Sequence, residues 1–257
     1  MDTPPNEELR AMTKDSKGDA GRVVFTATQA VLEAADFLKP ETNPVARQTD
    51  PKSLTYSLEQ YSLLPLHIID MLKLAQKAAA RAGWQPVVTE LERNIGQERG
   101  SETKGVSHYR ILTGAMHDEF GMDARNIVAH QATNEFIHSI KELLHNPNPH
   151  YCLGIAYALE SSAVPELTVV LSFVKKLAGN RPLQEGTKSF FDIHLNTWEP
   201  SHESELRQAV SPYINDSATA QAFYEGFTVT IESMRKWWDG LAEEAGRVGT
   251  PSLIDRP

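Results

Sequence analysis

Leu167-Thr168-Val169-Val170-Leu171-Ser172-Phe173-Val174 is the most apolar and β-branched run in the chain, and whether it is strand or helix sets the fold class. As a strand it would need partners, and no other segment alternates apolar and polar residues in the manner of a half-buried strand. As a helix it places Leu167, Val170, Leu171, Val174 and Leu177 on one stripe. It is also far shorter than the ~20 residues of a membrane span. The spacing therefore predicts a core helix from Pro165 to Ala178, preceded by another from His150 to Ala163.

The same rhythm continues outward in both directions. Upstream, Val23, Thr26, Ala30 and Ala34 share a face between Arg22 and Leu38, and Pro40 stops that segment. Leu54, Leu58, Tyr61, Leu64 or Pro65, Ile68, Leu72 and Ala75 carry a second pattern to Gly83, with Pro65 as a kink or a start. Pro86 opens a short helix with Val87, Leu91 and Ile95 inside, ending near Gly100. Ser107 caps one that ends near Gly121, and another spans Gln131 to His145 before Asn146-Pro147-Asn148-Pro149 breaks it. Downstream, helix runs from Gly186 through Tyr213 with an irregularity near Pro200, then from Ser217 to Gly246. No repeat, heptad array or long linker divides the chain. The expectation is one all-α domain, residues 22–246, between a flexible N-terminal tail, 1–21, and a C-terminal tail, 247–257.

Composition narrows the function. A chain of 257 residues needs no staple to build a core. Its 25 basic and 34 acidic residues leave a formal charge of −9, which disfavours binding to phosphate backbones, so nucleic acid is not expected as a partner. The single cysteine, Cys152, excludes an intramolecular disulfide and a four-cysteine zinc site and fits a reducing compartment. The amino terminus has no basic region followed by an apolar core, and a cytoplasmic protein without membrane association is expected.

Glycine-rich phosphate loops, a serine elbow and a paired-histidine zinc motif are all missing from the sequence. Carboxylates and imidazoles on separate helices remain: Glu98, His108, Glu160 amid Ala158, Leu159 and Ala163, and His194, Glu199 and His202 within nine residues. Three carboxylates with three imidazoles form a mixed hard and borderline donor set, suited inside a bundle to two ferrous or manganous ions. Other groups read as structural. His117-Asp118-Glu119 radiates to different faces and is expected to be a solvated helix end. His130, His138, His145 and His150 fall in loops and helix ends. Trp237-Trp238 should pack the last helix, and Cys152 should be a small core residue.

The segments Asn94-Ile95-Gly96-Gln97-Glu98-Arg99-Gly100, Ser107-His108-Tyr109, Tyr157-Ala158-Leu159-Glu160, Phe190-Phe191-Asp192-Ile193-His194 and Glu199-Pro200-Ser201-His202-Glu203 together resemble the heme-oxygenase-like diiron oxidases. That superfamily is related in fold to thiaminase-like and pyrroloquinoline-quinone-synthase-like proteins and to the chlamydial death-domain-associating protein. The resemblance covers roughly residues 54–245 and implies a bundle of about seven core helices holding two irons and no porphyrin. Glu98, His108, Glu160, His194, Glu199 and His202 would be the ligands and catalytic groups, with manganese allowed at one site. It further implies O2 as co-substrate and a small organic substrate, an amino acid or other amine-bearing carboxylate before a fatty acid, in secondary metabolism. An external electron donor and a homodimer are compatible with it. A metal-free thiaminase-like enzyme would need a cysteine nucleophile, for which only Cys152 is present; a non-catalytic binding protein is the third reading.

Two spacings depart from the family pattern. Glu98 and His108 are ten residues apart with Gly100 and Gly105 between them, which requires a loop that returns both to one place. Glu199 and His202 follow His194 by five and eight residues where the family has four and seven. On a regular helix five residues turn a side chain ~140° away. One residue absorbed as a π-bulge restores the spacing, and Pro200, which cannot donate to Asn196, favours it there.

Overall fold

Helix forms wherever the apolar stripe recurs, and no strand forms among the described residues, 20–249 of the computed structural model. In chain order the helices are α1 (Ala20–Ala34), α2 (Pro51–Ser62), α3 (Leu64–Arg81), α4 (Gln85–Glu98), α5 (His108–Phe120), α6 (Gln131–Leu143), α7 (Pro149–Ala178), α8 (Glu185–Ile193), α9 (Glu199–Val210) and α10 (Ser217–Gly249). Leu63 keeps helical dihedrals between α2 and α3, and the π-turn His194–Trp198 joins α8 to α9, so the ten segments make eight rods. The result is the all-α single-domain bundle that the periodicity predicts.

The local signals explain most boundaries. The Ser107 side chain accepts from Arg110 N at the start of α5, and Gly121, at φ 73°, closes it in the left-handed conformation. Asp50 caps α2 by accepting from Ser53 N, with Pro51 at the first helical position. The expected tails lie outside the described residues except at their inner edges, where the structure corrects them. Residues 20, 21 and 247–249 are helical, and Gly21 is buried against Ser211 and Ile214. The first predicted helix also ends sooner, at Ala34, and Asp36–Leu38 form a separate 3₁₀ turn.

A larger correction concerns Pro165, which does not separate two helices: α7 is one helix of 30 residues with the proline inside it. A mid-helix proline costs roughly 3 kcal/mol in isolation. Here Leu159 and Ser162 before it and Glu166, Leu167 and Val170 after it are all buried, so packing on both flanks holds the axis. α7 is long and apolar enough to cross a membrane by length and composition, but it is the bundle's central rod, with 61% of that apolar window buried against its neighbours. It crosses α10 at Gly154 and Gly226, where an added Cβ would fall on the carbonyl oxygens of Phe223 and Tyr151 respectively. Trp237 and Trp238 are buried as expected and fasten α10 to the bundle: Trp237 Nε1 donates to Thr133 Oγ1 at 3.3 Å and Trp238 Nε1 to Glu166 Oε1 at 3.2 Å.

Glu119 is a second correction, because it is buried where a solvated helix end was expected. It accepts from Arg181 and from Gln184 N at 2.7 Å, tying the end of α5 to the segment that enters α8. Burial pushes its pKa upward, but the Gln184 N–H and Arg181 outweigh this and hold it below the ordinary carboxylate value. Its contribution to stability is thus complete above that ordinary value and fades as pH falls through the lower folded one. Glu119→Gln should cost about 2 kcal/mol at pH 7, and the gap from the parent should close in urea titrations taken to acid pH, below the lowered folded value. A gap that persists there would show that packing, not charge, holds the joint.

Candidate metal centre

Four rods bring the six residues together. Glu98 ends α4 and His108 begins α5; the loop between them folds back through Gly100, at φ 96°, where a Cβ would strike the backbone of Val106. His108 Nδ1 then lies 3.0 Å from Glu98 Oε1, so ten residues of separation close into a direct contact. Glu160 projects from the middle of α7. His194, Glu199 and His202 come from the α8–α9 rod, where Glu199 N–H donates to His194 O, the i to i−5 bond of a π-turn. That turn absorbs the extra residue and points Glu199 inward.

All six side chains are buried: Glu98 8%, His108 3%, Glu160 5%, His194 2%, Glu199 7% and His202 1% exposed. Donor atoms of His108, His194 and Glu199 lie within 4.8 Å of one another, and so do those of Glu98, Glu199 and His202. Glu199 belongs to both groups. Glu160 joins the second through His202, whose Nδ1 is 3.3 Å from Glu160 Oε2 and 3.5 Å from Glu199 Oε2.

Each imidazole has one nitrogen committed as a donor and the other turned inward. His194 Nδ1 lies 2.7 Å from Phe190 O, which can only accept, so Nδ1 carries the hydrogen and Nε2 the lone pair. His202 Nε2 donates to Gln97 Oε1 at 2.9 Å, an oxygen oriented by Arg93 Nη1 at 2.8 Å, which leaves Nδ1 to the carboxylates. His108 faces Glu98 through Nδ1. Nε2 of both His108 and His194 is buried with no hydrogen-bond partner, a costly state for a polar atom unless something else is bound there. A carbonyl or carboxylate behind each ring is the usual support of a metal-binding histidine.

The electrostatics agree. Burial, with the His108 ring beside it, pushes His194 down to about 4, so it is a neutral donor at pH 7. For His202 burial acts in the same sense, but Glu160 and Glu199 outweigh it and push the ring up to about 11. The three groups therefore share a cation, a proton or a metal ion. Burial also raises Glu199, His202 pulls it back, and Glu98 and Glu160 add to the rise.

Glu98, His108, Glu160, His194 and Glu199, all of the six but His202, line a cavity of about 70 Å³ together with Leu64, Pro65, Ile68 and Leu167. A larger recess of about 960 Å³ between α1 and α9 holds none of the six. Cys152 is buried elsewhere, its thiol donating to Leu144 O and Asn146 O and raised by burial, so it serves the core as expected and lines neither cavity.

Sequence reasoning missed three participants. Gln97 backs His202. Trp198 stacks on His108 with ring centroids 4.5 Å apart and planes at 7°, and it meets His194 edge-on at 4.7 Å. Glu166 lines the cavity beside Tyr61. The only sequence signal for Trp198 was its place between His194 and Glu199; nothing marked Gln97 or Glu166.

A family model described as a domain of unknown function with solved structures, DUF3865, matches residues 24–244. The chain belongs to the DUF3865 family. Two crystal structures of a CADD-like protein of unknown function from Nostoc punctiforme share 30% identity with it. One covers 86% of this chain and 98% of that one with a TM-score of 0.79; the other covers 86% and 95% with 0.77. A curated relative, 4-chloro-allylglycine synthase of Streptantibioticus cattleyicolor, is 21% identical over 189 residues, 72% of this chain and 67% of that protein. The DUF3865 chain thus has the CADD-like helical bundle and falls in the heme-oxygenase-like diiron oxidase superfamily that its five segments resemble.

Proposed function

We propose that this protein is a non-heme diiron oxidase or oxygenase that uses O2 to oxidise a small amine-bearing carboxylate. The observation that carries the reading is the pair of buried ligand groups joined at Glu199, each mixing carboxylate and imidazole and all but His202 lining one cavity. The name of the relative, a synthase of an amino acid, supports the substrate class.

Glu98, Glu160 and Glu199 would hold the ions through hard oxygen donors, and His108, His194 and His202 through nitrogens whose opposite edges are already committed. When bound, the two ions supply the electrons that O2 requires, with manganese an alternative at one position. The chain supplies the rest. Gln97 and Phe190 fix the tautomers of His202 and His194. The Trp198 plane keeps His108 from turning. Leu64, Ile68 and Leu167 exclude water from the reacting end.

The test is anaerobic titration with Fe(II), followed by a screen of amino acids and other amines for accelerated oxidation of the ferrous form by O2. Two irons per chain and acceleration by an amine-bearing carboxylate are expected. No iron uptake, or uptake of one ion only, overturns the reading.

A further inference from the structure

The cavity is also lined by two polar side chains, Glu166 and Tyr61, that are not among the six metal-site residues. Glu166, on α7 beyond Pro165, is 3% exposed and lines the cavity with Tyr61. Its Oε1 accepts from Trp238 Nε1 at 3.2 Å. Among the described residues no group donates to Oε2, none bonds the Tyr61 hydroxyl, and no lysine or arginine pairs with Glu166. A buried carboxylate without a cation is expensive, and an all-structural role would be served as well by a neutral acceptor. Trp238 holds both groups, donating to Glu166 and stacking on Tyr61 with ring centroids 6.0 Å apart. Apolar wall from Leu64, Pro65, Ile68, Leu159 and Leu167 shares the cavity with these two groups and the metal-site residues.

We propose that Glu166 is the specificity-determining residue of this chamber, receiving the ammonium group of the substrate through Oε2 while the Tyr61 hydroxyl accepts a second N–H. The amine-bearing part of that substrate is a short aliphatic primary amine whose carbon chain lies on the apolar wall with its reacting carbon toward Glu199. The ammonium supplies the missing counter-charge, and a neutral isostere cannot. This assignment rests on the cavity being the substrate chamber of the enzyme proposed above, but it concerns recognition and is separable from the metal chemistry.

Trp238 touches Glu166, so ligand entry can be followed by tryptophan fluorescence on the full-length protein, with iron content measured in parallel. The probes are n-butylammonium and its neutral isostere 1-butanol. The parent should bind the ammonium at least about tenfold more tightly, the worth of one charge-assisted hydrogen bond. Glu166→Gln keeps an acceptor for Trp238 and should keep the melting temperature, the iron content and the 1-butanol affinity while losing the preference for the cation. Tyr61→Phe, which leaves the carboxylate in place, should reduce the preference by a smaller factor. Equal binding of the two probes to the parent, a preference that survives in Glu166→Gln, or loss of iron from that variant each overturn the proposal, the last by making Glu166 a ligand. A parent that prefers the ammonium but takes up no iron leaves this inference standing and removes the diiron reading; the converse result removes this inference alone.

Discussion

Glu199→Ala should hold one iron where the parent holds two, and its substrate-dependent O2 consumption should fall by more than about 100-fold. Glu199 is the only residue common to both ligand groups, so its loss opens both at once. The five remaining ligands still divide between the two positions, with His108 and His194 on one side and Glu98, Glu160 and His202 on the other. The second set keeps two carboxylates and one imidazole and should retain its ion. The first keeps two imidazoles alone and should lose it. The variant should still fold, because α9 is anchored by buried Leu206 and Val210 rather than by the carboxylate. Iron content by colorimetric chelation and O2 uptake in the presence of the screened substrate give the two readings. Two irons and undiminished uptake would remove Glu199 from the centre and the two-metal mechanism with it.

What the sequence disclosed about this centre was what local chemistry controls. The His194–Glu199 offset and Pro200 predict a π-turn, and it forms at His194–Trp198 because a proline without an N–H leaves the Asn196 carbonyl free of its usual helical bond. Ser107 and Gly121 mark the ends of α5 because capping is a property of one or two residues. Glycine at 100 and 105, with φ 96° and 85°, marks where the chain must reverse between Glu98 and His108.

What stayed hidden depends on contacts between distant segments. Pro165 reads locally as a break, and only the burial of residues on both sides of it keeps α7 whole. Glu119 has the sequence surroundings of a surface acid, yet Arg181 and Gln184, more than sixty residues away, make it a buried clamp. Gln97 is 105 positions from His202, and Glu166 is 72 from Trp238. No periodicity reports such pairs, since each partner alone looks like an ordinary polar residue on a helix.

The second large effect is expected far from any donor atom. Gly154→Val should destabilise the protein by roughly 3 kcal/mol or more, lowering the melting temperature by about 10 °C. A Cβ at 154 would meet the carbonyl oxygen of Phe223 and the amide of Phe227, backbone atoms of α10 that cannot rotate aside as a side chain can. Gly226 meets Tyr151 in the reciprocal way, so α7 and α10 touch backbone to backbone, and any side chain at either position must push the two helices apart. Gly114→Ala is the matched control: it lies exposed in α5 with no heavy atom near its added Cβ, and it should stabilise by up to about 1 kcal/mol through helix propensity. The opposite signs separate a packing requirement from a dislike of glycine in helices. The consequence reaches the centre because α7 carries Glu160 and Glu166 while α10 carries Trp238, the donor that holds Glu166. A wider spacing at Gly154 withdraws Glu160 from His202, only 3.3 Å away in the native packing, and Gly154→Val should accordingly bind iron more weakly even well below its melting temperature. If it melts with the parent, the close crossing is not what sets the depth of α7 in the bundle.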